Sequence, residues 1–229
     1  MLLPVLLLVQ ETLLAQINPP ALGKTNTSAW FAVAVQQDLD TIKNKGWKSV
    51  SYIGAGRISN PDSYNPIKNP GIFIVNQEFK NQFRKNWEYS LALSYRHQDE
   101  YKSNPPYEHD QPNFKQEFRI YGRLSYSFGN SFVILTPTVR QEFRKFFNPD
   151  FTNYPENLQL RTRFRIKFDF PLSDNGRNHL LLFSEQLFST SQDLNSKNWS
   201  QFKYTDSRFA LYYSMSPGNS DFTINVGYM

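Results

Sequence analysis

The stretch Leu158–Phe170 alternates between apolar and polar residues without a break, and it constrains the fold more than any other part of the chain. Successive side chains of a β-strand point to opposite faces, so a strand here has one apolar face and one face with four cations and one carboxylate. In a soluble protein such an apolar face needs a second apolar layer to pack against. The apolar parity consists of Leu158, Leu160, Thr162, Phe164, Ile166, Phe168 and Phe170, and the polar parity of Gln159, Arg161, Arg163, Arg165, Lys167 and Asp169.

The same alternation recurs along most of the chain and predicts ten strands. No helical period is sustained after residue 16, so we expect no helices that could cover the apolar faces. Most of the predicted strands are long enough for a membrane strand of about 9–11 residues, whereas soluble strands average about 5–6 residues. We therefore predict an all-β fold, a closed antiparallel transmembrane β-barrel of about ten strands (about 8–12) in an up-and-down meander. The predicted strands are residues 30–39, 47–58, 72–83, 87–101, 114–128, 132–147, 158–170, 178–189, 202–215 and 222–228.

The connections between these strands carry turn signals. Loops are predicted at residues 59–70 and 102–112, which are rich in proline, and at residues 148–157. Gly129 and Asn130 predict a two-residue hairpin turn.

Composition agrees with a barrel and excludes several kinds of site. Apolar residues make up 39% of the chain and aromatic residues 16%, a balance found in membrane barrels and also in soluble β-sandwiches. The absence of cysteine excludes disulfides, thiolate metal sites, cysteine nucleophiles and a lipidated N-terminal cysteine. The net charge is +5, but the cations alternate with apolar residues and form no continuous run, so we expect no nucleic-acid partner.

The N-terminal segment predicts a leader sequence. Residues 1–16 contain an apolar run that is too short to span a bilayer as a helix and that resembles the core of a signal peptide, although it lacks a basic start and contains Glu11. An ordinary buried first element is the alternative. The predicted organisation is a signal peptide at 1–16, an N-terminal tail at 17–28 and an outer-membrane β-barrel at 29–229.

The polar parity of the predicted strands gives the candidate functional residues. In a barrel these side chains point into the lumen, where two interpretations are open: an ion-paired ladder that fills a narrow interior, or a cation-lined pore that favours anions. The lumen set is Glu117, Arg119, Arg123, Arg140, Glu142, Arg144, Arg161, Arg163, Arg165, Lys167, Glu185, Asp206 and Arg208. The residues predicted to face lipid are Phe118, Leu124, Tyr126, Phe164, Ile166, Phe168, Phe209, Leu211 and Tyr213.

Catalytic and metal chemistry find little support in the sequence. An outer-membrane acyl hydrolase needs a Ser and a His within reach of each other, and His97, His109 and His179 have no serine at a convincing spacing. Glu108–Asp110 is better explained as a solvated loop than as a metal site. We predict no enzyme, no catalytic residues, no metal and no cofactor. Aromatic residues near strand ends are predicted to anchor the protein at the membrane interfaces, namely Trp30, Trp47, Trp87, Tyr95, Tyr101 and Tyr126.

Four short motifs resemble an outer-membrane barrel family of Gram-negative bacteria, known as domain of unknown function 2490. They are V-R-Q-E-F-R at 139–144, L-R-T-R-F-R-I-K-F-D-F-P-L at 160–172, D-S-R-F-A-L-Y-Y at 206–213 and V-G-Y-M at 226–229. The resemblance covers roughly residues 28–229 and implies an outer-membrane barrel with no assigned activity. Members of the family usually carry a further strand after the segment that ends in Gly-Tyr-Met, so the resemblance also predicts that this sequence lacks a final strand.

Three functions follow as hypotheses. The first is an outer-membrane barrel with a structural or passive-transport role, whose partners are outer-membrane lipid and the barrel-assembly machinery. The second is an outer-membrane hydrolase that modifies lipid. The third is a soluble periplasmic barrel that binds an apolar ligand, which requires the opposite parity, with Phe164 and Phe168 inside and Arg163 and Arg165 in solvent.

Overall fold

The computed structural model describes residues 25–39, 46–173, 175–218 and 221–229. The predicted signal peptide and the first part of the predicted tail, residues 17–24, lie outside these residues. The chain folds into eleven strands: β1 (Ser28–Asp38), β2 (Trp47–Ile58), β3 (Asn69–Arg84), β4 (Trp87–Tyr101), β5 (His109–Tyr126), β6 (Phe128–Gly129), β7 (Ile134–Phe147), β8 (Asn153–Pro171), β9 (Asn178–Asp193), β10 (Lys203–Met215) and β11 (Ile224–Tyr228).

All strands belong to one antiparallel sheet in which neighbours in sequence are neighbours in space. The order is β1-β2-β3-β4-β5-β7-β8-β9-β10-β11, and the two-residue strand β6 pairs with β7. The all-β class and the up-and-down meander of ten main strands are therefore confirmed. Among the residues that the structure describes, no helix is long and apolar enough to cross a membrane.

The sheet is open, and the prediction of a closed barrel is wrong. Within the described ranges, β1 pairs with β2 alone and makes no ladder with β10 or β11. The last strand has five residues and covers only Leu211–Met215 of β10, so the earlier part of β10 has a partner on one side only. Curvature without closure makes the molecule a half-barrel with two free edges.

Two long strands begin inside stretches that the sequence predicts as loops. β5 starts at His109 and contains Pro112, and β8 starts at Asn153 and contains Pro155. A proline cannot donate its backbone nitrogen to the ladder, but it is tolerated at a bulge. Both prolines lie at register shifts, one between Asp99 and Tyr101 of β4 and the other between Lys145 and Phe147 of β7. The strands therefore run through prolines that look like breaks in the sequence.

The hairpin between β5 and β7 is longer than the predicted two-residue turn at Gly129 and Asn130. Gly129 pairs with Ile134, so it belongs to strand β6 and not to the turn. The turn is closed by a hydrogen bond from the backbone nitrogen of Asn130 to the carbonyl oxygen of Val133, 3.0 Å long. The side chain of Asn130 also accepts from the backbone nitrogens of Phe132 and Val133, which stabilises the longer turn.

The two faces of the sheet differ in chemistry. Buried side chains, which lie mainly on the concave face, include 22 polar or charged residues and only 11 hydrophobic ones among the described positions. A soluble domain shows the opposite balance. Large apolar side chains stand exposed on the convex face instead, as in the centre of β4, where Leu91 is 61% and Leu93 is 57% exposed.

Strand β9 is apolar on both faces near its start, which explains why Leu180–Phe183 shows no alternation in the sequence. Leu181 and Phe183 are buried on the concave face and form a small cluster with Ala210 of β10. The ring of Tyr212 packs edge-on against Phe183, with 5.8 Å between ring centroids. Leu182, between them in sequence, is exposed on the convex face.

Candidate functional site

The charged side chains of the polar parity meet on the concave face of β5, β7, β8, β9 and β10. Register brings them side by side: Arg119 lies opposite Arg144, Arg140 opposite Arg163, and Arg165 opposite Glu185. All thirteen residues of the predicted lumen set lie on this face, buried or half-buried. Nine of them are cations and four are carboxylates, so the face as predicted carries an excess of positive charge.

Glu117 of β5 is the best-paired carboxylate of this face. Arg144 of β7 binds it in two places, with Nε 2.7 Å from Oε1 and Nη2 2.6 Å from Oε2. Arg119 adds a hydrogen bond from Nε to Oε1 at 2.8 Å, and Arg96 of β4 lies 3.9 Å away. Two-point Arg–carboxylate pairs are strong and directional, so this cluster fixes the relation between β5 and β7.

Glu142 of β7 is surrounded by three guanidinium groups and is fully buried. Its Oε1 lies 2.8 Å from the Nε atoms of both Arg140 and Arg163, and its Oε2 lies 3.6 Å from Nε of Arg119. None of these approaches has the alignment of a hydrogen bond. The carboxylate is therefore held mainly by charge, and it links β5, β7 and β8.

The ladder continues towards the edge of the sheet through Glu185 of β9. Nη1 of Arg163 donates to Glu185 Oε2 at 3.4 Å, and Nη1 of Arg208 lies 4.0 Å from the same oxygen. Arg208 also donates from Nε to Asp206 at 2.8 Å. These contacts join β8, β9 and β10, and they show that carboxylates are shared between arginines along the face.

Sequence reasoning missed the part of this network that lies on β3. Glu78 is buried, accepts from Ser90 Oγ at 2.5 Å and lies 3.5 Å from Arg123 Nη2. Tyr121 of β5 donates its hydroxyl to Asn76 at 3.1 Å, and its ring lies 3.5 Å from the guanidinium carbon of Arg140. The available signal is parity, since Glu78 lies on the face opposite to Phe73, Val75 and Phe79 of β3.

Two cations of the ladder differ from the rest. In the described part of the chain, Arg161 and Arg165 have no carboxylate within ion-pair distance. Arg161 donates to Gln159 at 3.0 Å, and Arg165 lies with its guanidinium carbon 5.4 Å from the ring centre of Phe183. The excess of positive charge is therefore located on β8.

The nine residues predicted to face lipid all lie on the convex face. Phe164 is 49% exposed although it stands between Arg163 and Arg165 in sequence. Arg163 is only 7% exposed. The parity required by a soluble barrel with an apolar interior, with Phe164 inside and Arg163 in solvent, is thus the reverse of the one found. The other residues that were predicted to face lipid and that lie on the convex face are Phe118, Leu124, Tyr126, Ile166, Phe168, Phe209, Leu211 and Tyr213.

Aromatic side chains form two rows across the convex face. The first aromatic row runs over the strand ends near the tight turn of β3 and β4 and consists of Trp47, Phe83, Trp87, Tyr89, Tyr126 and Phe128, whose neighbouring rings lie 4.8–6.5 Å apart. The second aromatic row lies towards the other strand ends and consists of Tyr95, Phe118, Phe147 and Phe151, with ring centroids 5.2–6.2 Å apart.

Two of the predicted interface anchors lie outside these rows. Trp30 is on the concave face, where its ring covers Gly54, so the prediction that it anchors the convex surface is wrong. The reason is that Trp30 shares the parity of Ala32 and not that of Phe31. Tyr101 sits at the end of β4, where its hydroxyl donates to the carbonyl oxygen of Pro70 at 2.8 Å.

The three histidines contact aromatic rings and polar groups of the sheet. His97 stacks on Phe114 with 4.3 Å between ring centres, and His109 stacks on Tyr101 at 4.5 Å. His179 bonds to Asp169 through Nδ1 at 2.7 Å and to the Gly176 carbonyl oxygen through Nε2 at 3.0 Å.

Ser214 lies opposite His179 in the ladder. Asp169, His179 and Ser214 therefore form a row across three strands, which sequence reasoning missed. Both nitrogens of His179 are already engaged by Asp169 and Gly176, and no hydrogen bond in the described ranges joins the imidazole to a serine. Ser214 is also only 1% exposed. The arrangement therefore lacks an accessible nucleophile. No group of three or more His, Asp or Glu side chains in the described residues is placed to hold a metal ion.

Comparisons with known proteins give no relative. No family model, no curated protein and no solved structure matches the chain. The resemblance to domain of unknown function 2490 accordingly stays a prediction that is carried by the four motifs alone.

Proposed function

We propose that this chain is an outer-membrane protein of a Gram-negative bacterium, in which the convex face meets lipid and the concave face lines a narrow lumen. The supporting observation is the spacing of the two aromatic rows. Phe118 and Tyr126 are eight positions apart on β5, so the segment that they bound has nine residues. A tilted membrane strand crosses the hydrocarbon layer with about 9–11 residues, and membrane barrels carry their apolar band between two such aromatic girdles.

The side chains between the rows support the same proposal. Leu91 and Leu93 of β4 and Ile120 and Leu124 of β5 are 44–61% exposed, and each points away from the charged face. Large exposed apolar areas are rare on soluble monomers and mark contact with lipid or another protein. A band that crosses neighbouring strands at one level between aromatic rows fits a bilayer better than it fits a local protein contact.

The primary role that we propose is structural. The ion pairs around Glu117 and Glu142 join β5, β7 and β8 through the interior of the curve, so this face is filled by its own side chains. Small barrels are commonly filled in this way. The partners of the chain in this role are outer-membrane lipid and the barrel-assembly machinery.

The excess of cations favours a second candidate function, the passive passage of small anions. Arg161 and Arg165 of β8 have no carboxylate partner among the described residues, and rings of arginine select anions in pores. Conductance of the purified protein in planar bilayers separates the two roles: anion-selective steps support passage, and a protein that inserts without conducting supports the structural role.

A single substitution tests membrane insertion. Phe164→Arg places a cation inside the apolar band, where an arginine destabilises a membrane barrel by up to about 2–4 kcal/mol. Phe132→Arg is the matched control, because Phe132 is 80% exposed in the turn that precedes β7, outside the band. We expect Phe164→Arg to reduce the fraction that folds into lipid vesicles, read from heat-modifiable gel mobility, and Phe132→Arg to fold like the wild type.

Two results would end the proposal. One is equal folding of Phe164→Arg and Phe132→Arg into vesicles. The other is recovery of the folded wild type in the soluble periplasmic fraction with no detergent requirement.

The proposal also requires that the free edges of the sheet find hydrogen-bonding partners in the membrane. Unpaired backbone groups are costly in a bilayer, so β1 and the first part of β10 need a hydrogen-bonding partner there. We expect the amides of β1 to be protected from hydrogen exchange in vesicles to nearly the same degree as those of β7. Rapid exchange of β1 in vesicles would argue against its insertion.

A further inference from the structure

A small cavity opens on the concave face where β5, β7, β8 and β9 meet. Its volume, measured as the space available to the centre of a water-sized sphere, is about 10 Å³. The lining residues are Arg123, Thr138, Arg140, Arg163, Arg165 and Glu185.

The charges around this cavity do not balance. Four guanidinium groups face a single carboxylate, Glu185, which also interacts with Arg208 from outside the cavity. Just outside the cavity, Glu142 is shared between Arg119, Arg140 and Arg163. Glu78 lies 3.5 Å from Arg123 and compensates that arginine. Arg165 has no carboxylate within ion-pair distance in the part of the chain that the structure describes. The cavity is therefore a local centre of positive charge.

The arginines that line the cavity also have buried donors without acceptors. The Nε atoms of Arg123, Arg140, Arg163 and Arg165 are shielded from solvent and make no hydrogen bond. Those of Arg140 and Arg163 lie near Glu142 but are misaligned with it. Burying a charged donor without an acceptor is unfavourable by about 1–3 kcal/mol or more. An anion beside Arg165 would offset the excess charge and would accept a hydrogen bond from its guanidinium group.

We propose that this cavity is a binding site for a single small monovalent anion, a halide such as chloride, which neutralises the arginines of β5, β7 and β8. A halide carries one negative charge on a single atom, which matches Arg165, the one lining arginine without a carboxylate at ion-pair distance in the described residues. The site goes beyond the proposed function: it requires no conductance and holds whether the lumen is filled or open.

The test is the stability of the detergent-folded protein in different sodium salts at constant ionic strength. A ligand that binds only the folded state raises the free energy of unfolding. Once the ligand concentration exceeds the dissociation constant, this increase grows with the logarithm of the concentration. We expect the urea midpoint to rise as chloride or bromide replaces gluconate. Constant ionic strength removes the general effect of screening.

Three variants assign the effect to the cavity. Arg165→Gln removes the unpaired guanidinium and should abolish the difference between chloride and gluconate. Arg84→Gln is the matched control, because Arg84 is exposed at the end of β3, and it should keep the full difference. Glu185→Gln removes the one carboxylate of the cavity, so chloride should bind at least about tenfold more tightly, which corresponds to 1.4 kcal/mol.

Equal midpoints in chloride and gluconate would overturn the proposal, as would a full chloride response in Arg165→Gln. If Arg165→Gln does not fold, chloride-35 NMR line broadening by the wild-type protein decides: broadening that bromide displaces supports the site, and its absence rejects it. Membrane insertion is measured separately with Phe164→Arg. A failed halide test therefore leaves the membrane proposal standing, and the reverse also holds.

Discussion

The concave face is filled in two different ways, one in the middle of the sheet and one at its β1 edge. Over β5, β7 and β8 the space is occupied by arginines and glutamates in ion pairs, with Glu142 fully buried among them. Over β1 and β2 it is occupied by an aromatic ring, because Trp30 lies across Gly54. Val50 and Ile58 of β2 are buried on the same face.

The difference shows that curvature, and not residue type, is what the two regions share. A curved sheet leaves little room inside, and side chains of either kind can fill it. Charges need matched partners at short distances, since breaking a buried pair leaves a charge without compensation. A ring over a glycine needs only the absence of a Cβ. The central region should therefore be sensitive to charge and the β1–β2 region to volume.

The largest expected effect is in the central region. Glu142→Gln keeps the shape of the side chain but leaves Arg119, Arg140 and Arg163 without their shared carboxylate. We expect the free energy of unfolding to fall by about 3–5 kcal/mol, as for other broken buried ion pairs. The measurement is urea unfolding in detergent followed by tryptophan fluorescence.

Two further variants sharpen this prediction. Glu156→Gln is the control, because Glu156 is exposed near the start of β8, and its stability should match the wild type. The double variant Glu142→Gln/Arg140→Gln should recover part of the loss, since it removes one uncompensated cation. A wild-type midpoint for Glu142→Gln would show that this region is not held by charge.

The next effect tests volume in the β1–β2 region. A Cβ at position 54 would lie 2.3 Å from the ring of Trp30, so the ring must move in Gly54→Ala. We expect a loss of about 1–3 kcal/mol, typical of an overfilled interior. Gly122→Ala is the matched control, because its nearest atom, the carbonyl oxygen of Ser90, lies 3.8 Å away. Equal losses in the two variants would contradict the role of Trp30 as the filler.

A smaller effect is expected where the two regions meet. Tyr121→Phe keeps the ring beneath Arg140 but removes the hydroxyl that bonds to Asn76 and lies 3.3 Å from Glu78. The net value of a neutral hydrogen bond is about 1 kcal/mol, so we expect a loss of that size in the same urea assay. Tyr64→Phe, at a position that is 78% exposed, should show no change. A loss as large as that of Glu142→Gln would mean that the hydroxyl organises the whole network.

Sequence reasoning found the strands because the alternation is long and regular. Both ends of β2 and of β4 agree with the prediction, since each begins at a tryptophan and ends before a proline-rich stretch. Sequence reasoning failed where the role of a residue depends on how its strand pairs with the next one. Pro112 and Pro155 look like breaks, and only pairing shows that they occupy bulges.

The candidate site was predictable as a face but not as a set of contacts. Parity assigns Arg140, Glu142 and Arg163 to one side, because parity is a local property of each strand. Which carboxylate meets which arginine depends on the stagger between strands, which one sequence does not contain. Closure is also non-local: whether β1 meets the end of the sheet depends on the accumulated curvature of ten strands.

The smallest effect concerns a carboxylate outside the concave face. Asp150, in the turn between β7 and β8, accepts from the Thr152 hydroxyl at 2.6 Å and from the Thr152 backbone nitrogen at 3.0 Å. These hydrogen bonds favour the charged form and hold the pKa of Asp150 below its ordinary value. The contribution of Asp150 to stability is therefore present above the unfolded-state pKa and is lost as pH falls through the lowered folded-state pKa.

Because the group is fully exposed and the side-chain oxygen of an asparagine could still accept both bonds, we expect Asp150→Asn to unfold like the wild type near neutral pH. NMR titration of the Asp150 carboxyl should give a lowered pKa that Thr152→Ala returns towards the ordinary value. A loss of stability in Asp150→Asn as large as that in Glu142→Gln would contradict the difference between buried and exposed carboxylates.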